Sequence, residues 1–126
     1  MYFKAIRGAI TVEKDDPVEI REASLELLSR IIEENKLEEK ELISIIFSVT
    51  RDITSFNPAT AVRLSGYKEV ALFCVQEAFI RGQMDHTIRV LVHAQRKTND
   101  EMRHIYLKKA KKLRPDRVIK YDSNVG

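Results

Sequence analysis

The chain has few of the residues on which disulfide-bonded, metal-binding and nucleotide-binding proteins depend. Its 126 residues include one cysteine, no tryptophan and four glycines that stand apart from one another. A single cysteine excludes an intrachain disulfide, which is typical of the reducing cytoplasm. Without tryptophan there is no Trp platform for stacking single-stranded nucleic acid, and isolated glycines exclude a glycine-rich phosphate loop.

Long apolar runs are also missing. No stretch approaches the ~18–20 apolar residues that a membrane span needs, and residues 1–7 lack the layout of a signal peptide. We therefore expect a cytoplasmic protein with no membrane partner. The chain is 44% hydrophobic and 33% charged, which is typical of one globular domain, here residues 1–126.

Positive charge is concentrated near the C-terminus. The formal net charge is +3, and eight lysines and arginines lie between Arg103 and Lys120 against one acid, Asp116. Such a segment can bind nucleic acid, although no known nucleic-acid-binding motif accompanies it. More often it is a solvated end of the chain, or it attracts a small anionic ligand to a neighbouring cleft.

The first third of the chain predicts a strand followed by a long helix. Residues 2–9 form a strand pattern that ends at Arg7 and Gly8, where glycine permits a turn or a close backbone approach. Residues 16–35 form a helix that opens with an aspartate N-cap and a proline, and Glu19 stands where a capping-box acid belongs. Apolar residues at helical spacing give this helix one buried face.

The middle of the chain predicts a buried strand and a short helix. Leu42–Val49 is a continuous apolar run rich in β-branched residues, which predicts a strand covered on both faces. Asn57 as N-cap and Pro58 at the first helical position begin a helix that ends near Gly66. This order of elements indicates an α/β or mixed α+β domain.

Two further strands, Glu69–Glu77 and Thr87–Val92, read as an apolar hairpin with a polar connection. Glu77 closes the first strand and Arg89 interrupts the second. A charge in an apolar run is unfavourable unless it is paired or put to use. The two side chains therefore form a structural ion pair or part of a functional site, or the arginine lies on an exposed sheet face.

The C-terminal region is ambiguous. Apolar residues keep helical spacing over residues 100–113, which predicts a helix ended by Arg114 and Pro115. Residues 115–126 are expected to form a flexible tail.

The chemistry of the remaining polar residues is restricted. His86, His93 and His104 lack the spacing of a metal site. Cys74 on an apolar strand is expected to be a small buried residue, since no local pattern supports a cysteine–histidine nucleophile. What remains is a set of arginines, an acid and a tyrosine, which suits binding and electrostatic stabilisation of a polyanionic small molecule.

Six segments, in family order and with similar spacing, resemble the monofunctional chorismate mutases of the trimeric, non-helical class. They cover almost the whole chain, and although each is weak alone, six in register are specific. The segments are Ile6-Arg7-Gly8-Ala9-Ile10-Thr11-Val12-Glu13, Pro58-Ala59-Thr60-Ala61-Val62-Arg63, Cys74-Val75-Gln76-Glu77, Ile88-Arg89-Val90, Arg103-His104-Ile105-Tyr106-Leu107 and Leu113-Arg114-Pro115-Asp116.

The resemblance implies an α+β fold. In the family, a mixed sheet packs against one long helix plus a short helix, and three subunits form a homotrimeric pseudo-α/β barrel with active sites at the subunit interfaces. Sheet edges are then used in assembly. The resemblance also implies that residues 103–108 lie in or near a short strand, which conflicts with the helix predicted from periodicity; we follow the resemblance there.

The resemblance further implies an activity, the intramolecular rearrangement of chorismate to prephenate in phenylalanine and tyrosine biosynthesis. One C–O bond breaks as a C–C bond forms, so no nucleophile, general base, metal or cofactor is needed. The enzyme must hold a flexible dianion in its reactive conformer and stabilise charge growing on the ether oxygen.

Site residues follow from the matched positions. By resemblance, Arg89 donates to the ether oxygen and one carboxylate, while Arg7 and Tyr106 hold the other polar ends of the substrate. Glu77 accepts from the ring hydroxyl, and Cys74 lies close by on the same wall. Glu77 and Arg89 would then be two walls of one cleft, kept apart by substrate.

Other matched positions are expected at the mouth of the cleft. Arg63 supplies positive charge there, and the tail around Arg114 closes over it. The family has Phe-Pro-Ala where this chain has Phe56-Asn57-Pro58-Ala59, so either Phe56 reaches the pocket from one position earlier or asparagine replaces an apolar wall. Thr60 stands where relatives often carry a charge. These differences concern substrate closure and not the fold.

Two alternatives remain at this point. One is an imine/enamine deaminase on the same trimeric architecture, whose local motifs are not seen in the chain. The other is a non-enzymatic, basic nucleic-acid-binding module.

Overall fold

The computed structural model describes residues 1–113, which form one mixed five-stranded sheet and two helices. Helices α1 (Pro17–Asn35) and α2 (Pro58–Leu64) share an apolar core with the sheet, and short 3-10 segments cover Glu39–Glu41 and Lys108–Leu113. Neither helix is long and apolar enough to cross a membrane. The α+β prediction is confirmed. The strands, in the order β3-β2-β4-β1-β5, are β1 (Tyr2–Thr11), β2 (Leu42–Val49), β3 (Ala71–Gln76), β4 (Thr87–Arg96) and β5 (Ile105–Leu107).

Helix α1 begins where its capping residues predict. The Asp16 carboxylate accepts a hydrogen bond from the Glu19 backbone N–H at 3.0 Å. Glu19 does not complete the expected capping box; its carboxylate accepts from the backbone N–H groups of Glu13 at 2.6 Å and Lys14 at 3.3 Å. Glu19 therefore fixes the loop that leads into α1. The apolar face is buried as predicted, at Ile20, Ala23, Leu27, Leu28 and Ile31.

Strand β1 is longer than its sequence pattern indicates. It does not end at Gly8 but continues to Thr11, paired antiparallel with β4 along its whole length. Gly8 serves close packing inside the strand: an added Cβ would lie 2.9 Å from Ile31 Cδ1 of α1 and 3.0 Å from the Ile105 carbonyl oxygen of β5. Of the two roles predicted for this glycine, the close approach is the one observed.

Strands β3 and β4 are not the hairpin that their sequence predicts. β3 pairs parallel with β2, and β4 pairs antiparallel with the other edge of β2. A parallel pair needs a crossover connection, and α2 supplies it between β2 and β3. The connection of residues 77–86 is long enough for β4 to return on the far side of β2.

The sheet has one covered face and one open face, the latter being the face opposite α1. In β2, Ile45 and Phe47 point toward the helices and are fully buried, whereas Ile46 and Ser48 on the open face are half-buried. The prediction that β2 is covered on both faces is therefore wrong for the single chain. The open face carries exposed apolar side chains, with Phe73 63% and Val75 40% accessible.

The last described region is a strand and not the helix predicted from periodicity. Residues 105–107 form β5, which pairs parallel with β1, as the resemblance implied. The end of α1 holds the preceding backbone, because the Asn35 amide accepts from Arg103 N–H at 2.7 Å and donates to the Arg103 carbonyl at 3.0 Å. The residues predicted to form a flexible tail and lid, Arg114 and 115–126, lie outside the described residues.

Candidate active site

The strand register places a row of side chains across the open face. Tyr106 of β5 faces Ala9 of β1, Ala9 faces Arg89 of β4, and Arg89 faces Ser48 of β2. Neighbouring strands lie about 4.8 Å apart, so Tyr106 and Arg89 stand two strand spacings from each other. Ala9 between them is fully buried and does not reach the surface. A hollow in the open face lies along this row and is lined by Tyr106, Arg89 and Ser48.

This hollow contains three of the predicted site residues. Arg7 lies two positions before Ala9 on β1 and therefore points to the same face. The hollow has a volume of about 360 Å³, within the range of small-molecule sites. Its described lining includes two arginines and no acid, which suits a small dianion. We call it the arginine pocket, lined by Arg7, Gly8, Ile46, Ser48, Arg89, Val90, Leu91, Tyr106 and Leu113.

Glu77 and Arg89 are in contact. The backbone N–H of Glu77 donates to the Val49 carbonyl at 2.8 Å, which extends the pairing of β3 with β2. Glu77 Oε1 lies 2.9 Å from Arg89 Nε and accepts from Ser48 Oγ at 3.2 Å. The expectation of two separated cleft walls is thus not met in this structure, which contains the ion pair considered as its alternative.

The ion pair has a physical cause in burial. The side chains of Glu77 and Arg89 are only 13% and 31% exposed, and opposite charges compensate part of each other's lost hydration. Pairing and pocket formation are compatible, because Arg89 takes part in both. The second oxygen, Glu77 Oε2, is buried without a hydrogen-bond partner among residues 1–113, which is costly for a carboxylate.

Glu77 also lines a neighbouring hollow of about 260 Å³. Two other residues of this hollow are Arg51 and Phe79, whose guanidinium carbon and ring centroid lie 3.5 Å apart. This cation–π contact packs the connection of residues 77–86 against the loop that follows β2.

His104 has a role that the sequence did not predict. Its Nδ1 accepts a hydrogen bond from the Arg7 backbone N–H at 2.9 Å. Burial, together with the charge of Arg7, lowers the pKa of His104, so the neutral, accepting form dominates at neutral pH. The bond ties the segment before Tyr106 to β1 beside Arg7.

The remaining predicted residues lie elsewhere on the chain. Phe56, Thr60 and Cys74 line a hollow of about 430 Å³ beside α2, which we call the α2 pocket. Cys74 packs against the hydrophobic core but is half-buried, not fully buried as predicted, and this partial burial raises the pKa of its thiol. Within one chain Cys74 and Glu77 do not share a wall, because residues three apart on a strand point to opposite faces.

Asn57 explains the departure from the family pattern at the start of α2. Its side-chain oxygen accepts from the Ala59 backbone N–H at 2.8 Å, so it is the helix N-cap, as predicted. Phe56 lines the α2 pocket from one position earlier. Arg63, farther along α2, is exposed and lines a separate hollow beside Tyr67.

One group of potential metal ligands occurs among residues 1–113. The ligating atoms of Asp52, Asp85 and His86 lie within 4.8 Å of one another. The Asp52 carboxylate already accepts from the His86 backbone N–H at 3.0 Å and from the Thr50 hydroxyl. These bonds join the loop after β2 to the connection of residues 77–86.

Fold and pocket together define an α+β protein with a hollow lined by two arginines on the open face of its sheet. A solved structure, a chorismate mutase from Clostridium thermocellum, superposes with a TM-score of 0.80 at 40% identity and covers 86% of this chain and 97% of its own. The family described as chorismate mutase type I matches residues 3–117. The chain therefore belongs to the chorismate mutase type I family.

Two curated relatives extend the comparison. The chorismate mutase AroH of Thermus thermophilus is 44% identical over 115 residues, which cover 90% of this chain and 94% of the relative. That of Bacillus subtilis strain 168 is 41% identical over 118 residues, covering 92% and 93%. The similarity thus extends over nearly the full length of both relatives.

Proposed function

We propose that this protein is a chorismate mutase, which rearranges chorismate to prephenate in aromatic amino acid biosynthesis. Membership of the family supports the reaction. The single structural observation that carries the proposal is the convergence of Arg7, Arg89 and Tyr106 on one hollow. The rearrangement needs binding of a dianion in a compact conformer and stabilisation of negative charge on the ether oxygen, which positioned cations and donors supply.

The three predicted site residues of the arginine pocket each have a proposed role. Arg89 donates to the ether oxygen and to one carboxylate of chorismate, while Arg7 and Tyr106 bind the other polar ends. A preorganised donor at a developing oxyanion is worth about 10²–10³ in rate. Arg89 is therefore the residue on which the rate depends most.

The contact between Glu77 and Arg89 serves this role. Glu77 Oε1 holds Arg89 through Nε, so the terminal nitrogens of the guanidinium are directed to the substrate. The second carboxylate oxygen accepts the ring hydroxyl of chorismate. Support for this comes from its burial without a donor among the described residues, since an acceptor in such a place gains a full hydrogen bond when a hydroxyl arrives.

The active form is proposed to be a homotrimer, with each active site shared by two subunits. Within one chain the predicted site residues fall into two separate groups, one in the arginine pocket and the other on and around α2. Neither group alone contains all the residues expected to contact the substrate. The exposed apolar side chains of the open face, including Phe73 and Val75, favour burial against another copy. The next subunit would bring Phe56, Thr60, Cys74 and Arg63 to the arginine pocket.

One further assignment rests on the resemblance: the enzyme acts in the cytoplasm. Of the alternatives, the deaminase and the nucleic-acid-binding module have no support in the fold comparison or in the family match.

The direct test is to add the protein to chorismate and follow the absorbance of chorismate and the appearance of prephenate. We expect chorismate to disappear with stoichiometric formation of prephenate, without added metal or cofactor. Unchanged chorismate, together with salt-sensitive binding to DNA or RNA, would instead support the basic module. A mass measurement of the native protein checks the trimer in the same preparation.

A further inference from the structure

The loop before α2 is held by an aspartate from a distant part of the chain. Asp15, between β1 and α1, accepts three hydrogen bonds from residues 54 and 55. Its Oδ1 accepts from the backbone N–H groups of Thr54 and Ser55, each at 3.0 Å, and its Oδ2 accepts from the Thr54 hydroxyl at 2.8 Å. The bonds cross 39 and 40 positions of sequence.

The clamped residues lead directly into the α2 pocket. Thr54 and Ser55 line that pocket themselves, and Phe56 follows immediately. Residues 54–57 form one wall of the α2 pocket. They belong to no helix or strand, so no regular backbone hydrogen bonding holds this wall in place. Asp15 and the Asn57 cap therefore hold the backbone on either side of Phe56, whose side chain also packs against the core.

The clamp stays charged over the whole physiological range. Burial tends to raise the pKa of Asp15, but hydrogen bonds from Thr54 and Ser55 outweigh it and lower the pKa to about 2. A carboxylate whose pKa is lower in the folded than in the unfolded protein stabilises the fold at pH values above its unfolded-state pKa. This stabilisation is lost as the pH falls through the folded-state pKa. The clamp is thus lost only near pH 2.

We propose that Asp15 is a positioning residue for substrate binding, which holds the Phe56 wall in place for the arginine pocket of the neighbouring subunit. This rests on the proposed function and on the shared active site. Asp15 does not touch the substrate and acts through Thr54 and Ser55. Its removal should weaken substrate binding in preference to the chemical step, because the donors at the ether oxygen lie on the other subunit.

The test is the steady-state kinetics of Asp15→Ala, Asp15→Asn and a matched control, Lys14→Ala. Lys14 is the exposed neighbour on the same loop. For Asp15→Ala we expect KM to rise about three- to tenfold, the scale for ordering one or two side chains on binding, with kcat within about twofold. Asparagine should recover much of KM because its amide oxygen still accepts from the two backbone N–H groups. Lys14→Ala should match the wild type.

Two controls keep the outcomes separate. Amide hydrogen exchange of residues 54–57 should accelerate in Asp15→Ala, which reports the clamp without reference to activity. An unchanged KM, or an equal fall in kcat and kcat/KM, would overturn the proposal even if the variant is less stable. A wild-type protein that leaves chorismate unchanged while the exchange still accelerates in Asp15→Ala would overturn the proposed function and, with it, the substrate-binding role of Asp15.

Discussion

Single residues on the open face decide what the sheet can bind. Arg89 and Tyr106 stand in one row across the sheet, on either side of the buried Ala9, and both line the hollow there. Ser48 joins the row by donating to Glu77. The sequence of β2 could have predicted a polar side chain on this face, because Ser44 and Ser48 lie an even number of positions apart in an otherwise apolar run. That spacing puts two hydroxyls on one face of a strand.

A prediction at the residue scale concerns the thiol of Cys74. Burial raises its pKa, so the thiolate fraction at neutral pH is smaller than for a free cysteine. We expect iodoacetamide to alkylate Cys74 in the folded protein more slowly than glutathione at about pH 8. The same protein unfolded in urea is the control and should react at the rate of an ordinary cysteine. Folded protein reacting as fast as glutathione would contradict the assignment of Cys74 as a half-buried, neutral thiol.

At the scale of elements, sequence patterns identify helices better than strand neighbours. The caps Asp16 and Asn57 place both helix starts, because capping is local chemistry. The pairing of β3 with β2 is not local and depends on which edge is free after α2 has crossed the sheet. The contact of Glu77 with Arg89 follows from that pairing. The sequence alone therefore predicts it only as one of several possible arrangements of the two side chains.

The C-terminal end of α1 shows how a tertiary contact overrides periodicity. Asn35 holds Arg103 by two backbone bonds, and Arg96 donates to the Asn35 carbonyl at 2.8 Å. With its backbone held there, the chain lies beside the free edge of β1. Ile105 and Leu107 then point inward as alternating strand residues, although Met102, Ile105 and Leu113 also keep helical spacing.

This junction gives a prediction at the element scale. Asn35 is 6% exposed, and Asn35→Ala removes its amide from the backbone groups of Arg103. We expect a loss of about 1–3 kcal/mol in the free energy of unfolding, the scale for leaving buried polar groups unpaired. Asn99→Ala is the control, since Asn99 is exposed and its one side-chain bond among residues 1–113 is a surface bond from Lys4. Equal effects of the two substitutions in urea unfolding would contradict the role of the junction.

For the whole molecule, the proposed trimer would explain features that a single chain leaves unexplained. The open face exposes apolar side chains beside two arginines, and the α2 pocket lies apart from them. The sequence could predict this division only through the family resemblance, because no pattern within one chain reports which surface meets a second copy. The proposed trimer accounts for both features by one contact.

Mixed trimers test that contact. Arg89→Ala and Arg63→Ala remove residues from the two halves of the site, so co-expression should restore intact sites at about a quarter of the interfaces if subunits mix at random. We therefore expect activity well above that of either variant alone. Co-expression of Arg89→Ala with Arg7→Ala is the matched control: both residues belong to one half, and no interface becomes intact. Restoration in the control, or its absence in the first pair, would argue against sites shared between subunits.

The most direct measurement is kcat for the rearrangement of chorismate by Arg89→Ala, with Arg89→Lys and Arg21→Ala beside it. We expect kcat of Arg89→Ala to fall by roughly 10²–10³ or more, the scale for one preorganised donor. Lysine should recover only part, because it lacks the planar fork of arginine. Arg21, exposed on the outer side of α1, should be replaceable without effect. Full mutase activity in Arg89→Ala would contradict the assignment of the arginine pocket as the active site.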